Sequence, residues 1–123
     1  MTYTTGGSGN GEVTAAISTA AVRLLHEYTG RGPTKARTTV TPDLCVILFA
    51  DGLTKAERTL LAAGNEELVL NVRKQFQLTM RNALVGVVEE HTGRRVLAFM
   101  SDNSIEPDMG AEVFVLEREP EAA

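Results

Sequence analysis

Glu27-Tyr28-Thr29-Gly30-Arg31 returns as Glu90-His91-Thr92-Gly93-Arg94, and further on Pro42-Asp43-Leu44 returns as Pro107-Asp108-Met109. Each Thr-Gly pair follows a stretch with helical periodicity, and a glycine just past a helix adopts the left-handed conformation that closes it. Each basic residue then leads into strand-like sequence. Each Pro-Asp lies between two such segments, where proline presets the second position of a type I turn. The unit is a helix feeding a β-hairpin. Used twice, it predicts one sheet with pseudo-twofold symmetry, the second hairpin being two residues longer.

Val13, Ile17, Ala20, Ala21, Leu24 and Tyr28 recur every three or four residues and predict a helix over Glu12–Tyr28. Thr34–Thr41 alternates, with Lys35, Arg37, Thr39 and Thr41 on one face and Ala36, Thr38 and Val40 on the other. Leu44–Ala50 is apolar at every position and reads as a central strand covered on both sides. Thr54 and Glu57 form a capping box for a short helix that Gly64 stops. Asn65 reads as the cap of a long helix, Glu66–His91. Its stripe is Val69, Val72, Phe76, Met80, Leu84, Val87 and Val88, widened by Leu68 and Ala83. Arg94–Met100 and Ala111–Leu116 read as strands joined by the polar run Ser101–Met109.

The order α-β-β-α-α-β-β predicts an α+β fold: a four-stranded antiparallel sheet from two hairpins, with helices mainly on one face. Residues 1–11, rich in Gly, Ser and Thr, read as a flexible tail, 12–117 as a single domain, and 118–123 as a frayed end. If helices cover only one face, the apolar strand Leu44–Ala50 needs another cover, and a homodimer is the expected source.

The 123 residues suit one domain with a real core. A net charge of −4 argues against broad binding to nucleic acid. The single cysteine, Cys45, excludes an intrachain disulfide, and a cytoplasmic location is expected. No run approaches the roughly 20 apolar residues of a spanning helix, so no direct membrane insertion is expected.

Gly30-Arg31-Gly32-Pro33-Thr34-Lys35 has the composition of a phosphate loop, but it leaves a helix and enters a strand, the reverse of the geometry that cradles an anion. Its charge is still concentrated. Arg31, Lys35 and Arg37, joined through the repeat by Arg94 and Arg95, are the candidate binding residues, forming one basic edge if the halves are symmetric. His26 and His91 lie near helix C-termini, where the dipole favours a cation, and no His or Cys pair has metal-ligand spacing. Glu89 and Glu90 diverge on a helix, and Ser101-Asp102-Asn103-Ser104 lacks the pattern of a calcium loop. Cys45 suits a core better than a nucleophile. No catalytic residue, metal site or cofactor is expected.

Tyr28-Thr29-Gly30-Arg31-Gly32-Pro33-Thr34-Lys35-Ala36-Arg37, together with Leu53-Thr54-Lys55-Ala56-Glu57, Glu90-His91-Thr92-Gly93-Arg94 and Phe99-Met100-Ser101-Asp102-Asn103, resembles the signature of the bacterial MpsC family of the Na+-translocating membrane-potential-generating system. The likeness runs from about Val13 to Leu116. It implies a soluble accessory protein associated with a membrane module for cation or inorganic-carbon uptake. Since no acid, base or nucleophile set converges, the expected role is accessory or regulatory action by protein contact, not an enzyme's. A module binding a small anion such as bicarbonate, or a nucleotide, is the alternative.

Overall fold

The computed structural model describes residues 10–30 and 34–118, so the expected tail before Asn10, the candidate Arg31 and the end beyond Arg118 lie outside the described residues. The elements are α1 (Asn10–Thr29), β1 (Lys35–Val40), β2 (Leu44–Ala50), α2 (Lys55–Ala62), α3 (Glu66–Thr92), β3 (Val96–Ser104) and β4 (Met109–Leu116). The fold is α+β. The four strands form one antiparallel sheet in the order β1-β2-β4-β3.

Both Thr-Gly pairs end their helices in the same way. Gly30 has φ +66° and donates to the His26 carbonyl at 2.8 Å, and Gly93 has φ +70° and donates to the Glu89 carbonyl at 2.9 Å. The neighbouring hydroxyls match too: Thr29 donates to the Leu25 carbonyl at 2.6 Å and Thr92 to the Val88 carbonyl at 2.7 Å. The capping box of α2 is complete. Glu57 N–H donates to Thr54 Oγ1 at 3.1 Å, and Thr54 N–H donates to Glu57 Oε1 at 2.9 Å. Asn65, expected to cap α3, makes no side-chain cap bond.

The core lies between the helices and one face of the sheet. Ile17 and Ala21 of α1 and Met80, Leu84 and Val88 of α3 pack on Cys45, Ile47 and Phe49 of β2 and Phe114 and Leu116 of β4. α2 packs on α3. Leu44, Val46, Leu48 and Ala50 point the other way and are half-buried or exposed, so β2 is not covered on both sides as its composition suggested. Continuous apolarity here marks a strand central within the sheet but open on one face. On that face Lys35, Arg37 and Thr39 extend from β1, and Met100, 54% exposed, lies on β3 beside Val113.

The twofold relation expected from the repeat is present in the topology. β2 and β4 are central and antiparallel, each half's helix packs over its own outer strand, and α1 contacts α3. Ile47 pairs directly with Glu112, and each stands fifth after the proline of its Pro-Asp turn, so the pseudo-axis passes through this pair. Counted back from the Thr-Gly pairs, Ile17 matches Met80 and Ala21 matches Leu84, and all four are buried.

The second hairpin departs from expectation. Ser101–Met109 is not a loop: β3 continues through Ser104, and β4 starts at Met109. Alternation explains it. Ser101 and Asn103 face the helices opposite Glu112 and Gly110, while Asp102 and Ser104 face outward, and inward polar residues in a strand read as loop when their partners are unseen.

Candidate functional site

Of the five basic candidates, the four described ones, Lys35, Arg37, Arg94 and Arg95, do not form one edge. Antiparallel pairing places Lys35 and Arg37 at the end of the sheet where β1 and β4 begin, on the β1 edge. Arg94 and Arg95 precede β3, at the opposite end and on the opposite edge. Lys35 makes an exposed ion pair with Asp51 at 3.5 Å, worth little in water. Arg37 and Arg95 are exposed. Arg94 is half-buried, and its guanidinium donates to the Pro42 carbonyl and, at 2.7 Å, to the Thr41 carbonyl. Arg94 therefore ties the start of β3 to the first Pro-Asp turn. A diagonal arrangement around the sheet arises because the pseudo-axis relates opposite corners.

The chemically distinctive groups converge elsewhere. The buried row of α3 is Val69, Arg73, Gln77, Met80, Leu84 and Val88, so two polar residues stand where the core continues. Arg73 is 7% exposed and meets two carboxylates: Glu57 Oε2 lies 3.6 Å from its Nε and Asp108 Oδ1 lies 3.2 Å from Nη2. Asp108 Oδ2 also accepts the Leu53 N–H at 2.8 Å. One guanidinium thus joins the capping box of α2, the chain entering α2 and the second Pro-Asp turn.

Beside it, Gln77 Nε2 donates to Glu112 Oε2 at 2.9 Å, and Gln77 Oε1 accepts from Asn103 Nδ2 at 2.8 Å. Arg73 Nη1 approaches Asn103 Oδ1 at 3.5 Å. Glu112 is 3% exposed, and its Oε1 is buried with no hydrogen-bond partner. Burial pushes the carboxyl up from 4.5 to about 7, and the Gln77 hydrogen bond opposes that rise. Gly110 supplies room: a Cβ there would meet Asn103 Oδ1 at 3.1 Å.

These groups border a cavity of about 50 Å³, which Leu25, Phe49, Phe76 and Met80 line with apolar surface. It is large enough for a few water-sized or carbon-sized groups. Arg73's charge is already met by two acids, and Glu112 adds a third carboxyl, so among the described residues acidic groups outnumber basic ones around the cavity. Among the described residues no group of three or more His, Cys, Asp or Glu side chains could hold a metal ion. Cys45 is buried in the core, and burial pushes its thiol up to about 12, partly offset by Arg94, so it is poorly suited to nucleophilic work. His91 Nδ1 lies 2.9 Å from the Val87 carbonyl.

This cluster lies outside the residues expected from sequence to bind. Arg73, Gln77 and Met80 hold helical spacing with Val69 and Leu84, a signal that the buried stripe turns polar for two turns. Glu112 lies second in the segment read as a strand, Ala111–Leu116, on the same face as Phe114 and Leu116.

No helix among the described residues is long and apolar enough to cross a membrane. The family model for the Na+-translocating membrane potential-generating system (MpsC) matches residues 9–118. Neither a curated protein nor a solved structure is similar enough to match the chain.

Proposed function

The chain belongs to the MpsC family, which associates it with a Na+ membrane-potential system, and on that premise we propose that it is an accessory protein of such a system, acting by protein contact and not by catalysis. The observation that carries the reading is the sheet face turned away from the helices. Leu44, Val46, Leu48, Ala50, Met109, Ala111, Val113 and Val115 form a continuous apolar centre there, contributed by the two middle strands. Monomers seldom leave such a surface uncovered.

The first occupant of that face is a second copy of this chain. A face built about a pseudo-twofold axis presents similar surfaces in both directions, which suits an isologous dimer. Lys35 and Arg37 flank the apolar centre on the β1 side, where they stay available to the membrane module. Arg95 adds charge at the far corner.

Sedimentation of the full chain tests the contact: a species of twice the chain mass is expected, and Leu48→Asp, in the middle of the face, shifts it to the monomer. A wild-type monomer at every concentration retires the dimer. Capture of the membrane module from membrane fractions, lost on charge reversal at Lys35, Arg37 and Arg95, tests the accessory role. Capture unchanged by reversal removes those residues from the contact.

A further inference from the structure

The two halves of the molecule match in their backbone pairing but differ in what they bury. The place of Val40 is taken by Asn103, that of Cys45 by Gly110, and that of Ile47 by Glu112, each pair related by the repeat and each first-half residue apolar. Counted back from the shared Thr-Gly stop, Arg73 stands at the place of Asn10 and brings a charge there that α1 lacks. One end of the core is therefore sealed and the other is hollow and polar. A fold that can close this region with Val, Cys and Ile instead holds a carboxyl there with one oxygen unpartnered, at the cost of desolvating it.

We propose that this cavity is a binding site for a small organic cation, an amine on a short carbon body whose ammonium is received by the Glu112 carboxylate. The charge around the cavity chooses the sign. Among the described residues, α3 contributes Arg73, the turn before β4 Asp108 and α2 Glu57, and together with Glu112 these leave the acids in excess. α1, β2 and the start of β1 contribute Leu25, Thr29, Phe49 and Thr34, none of them charged. Gln77, which already bonds Glu112, can turn its amide toward either form of the carboxyl. Phe76 and Met80 offer carbon and sulfur surface to the ligand's body. The size of the cavity limits that body to a few heavy atoms.

An ammonium binds the ionised carboxylate, so binding releases a proton when Glu112 begins protonated. With the Glu112 carboxyl titrating at about 7, affinity falls about tenfold from pH 8 to pH 6. For an amine of so few heavy atoms the dissociation constant is on the order of millimolar. The site is independent of whether the sheet face dimerises.

Thermal unfolding of the full chain with propylamine or butylamine, against 1-propanol and propionate at matched ionic strength, provides the test. Saturable stabilisation by the amines alone, stronger at pH 8 than at pH 6, is expected. Glu112→Gln, which keeps the shape and removes the charge, lowers amine affinity at least tenfold. If that variant does not fold, amide chemical-shift changes in the wild-type protein decide: they must cluster at Gly52, Gln77, Asn103 and Gly110. No response to either amine, an equal response to propionate or 1-propanol, or shifts confined to other surfaces overturns the proposal.

Discussion

Glu112 and Ile47 face each other across the central strand pair, and the contrast between them shows what one residue costs this core. Ile47 is fully buried among hydrocarbons. Glu112 puts a carboxyl in the same layer with a single hydrogen bond from Gln77. Removing water from a carboxylate penalises its charged form, which is why it titrates at about 7 instead of 4.5. Between those two values the folded chain holds a proton that the unfolded chain has released, so unfolding stability falls as pH rises through this window and levels off above it. The size is on the order of 3 kcal/mol at most. Urea denaturation at pH 5 and pH 7.5, at fixed protein concentration, should show that loss in the wild type and a much flatter response in Glu112→Gln. An equally steep loss in the variant would assign the pH dependence to other groups. No sequence pattern announces such a residue. A carboxylate between Ala111 and Val113 fits the solvent face of any alternating strand, and only the pairing with Ile47 reveals that it points inward.

At the level of elements, the Thr-Gly stops, the capping box of α2 and the strand Leu44–Ala50 were legible because each depends on neighbours in sequence. The left-handed glycine, the Thr54–Glu57 exchange and the apolar run need no distant partner. The buried face of α3 was only partly legible. Counting apolar residues placed Val72 and Leu68 on it, yet Val72 is 37% exposed and Leu68 48%, while Arg73 and Gln77 are buried. Their burial depends on Glu57, Asp108 and Glu112, which arrive from three other segments. This dependence makes Arg73 the residue on which the seating of α2 turns. Arg73→Ala leaves two carboxylates facing one another in a largely dry space, and breaking a buried pair from one side typically costs about 3–5 kcal/mol. Arg37→Ala, on an exposed position of β1, should change stability by less than about 0.5 kcal/mol. Chemical denaturation of both variants checks the contrast. A loss of under about 1 kcal/mol for Arg73→Ala would mean that Glu57 and Asp108 find water or new donors on their own.

At the scale of the whole molecule, the repeat was legible as an order of elements, and that order sets where the halves must meet. β2 and β4, one from each half, are the middle strands, so the seam between halves runs through the centre of the sheet and of the core. The repeat showed the longer second hairpin, but it could not show the polar cavity that lies at that hairpin's end of the core. Equivalent residues share backbone places while differing in what they bury, and the four described basic candidates stand at opposite corners because a twofold axis sends matching residues there. The central seam has a mechanical consequence. Neither half owns a complete core, because a single helix over two strands exposes the inner edge of β2 or β4, and an isolated hairpin is marginal at best. Cutting the chain at Gly64, an exposed turn residue with φ +84° between α2 and α3, removes no strand pairing. It converts only a short connection into two ends, whose closure entropy is modest beside the packing recovered. The two fragments should therefore be unstructured apart by circular dichroism and regain helix and sheet when mixed at micromolar concentration. A first-half fragment that folds alone with a cooperative thermal transition would show that α1, β1 and β2 carry a self-sufficient core, and the shared sheet would then be an association of finished units.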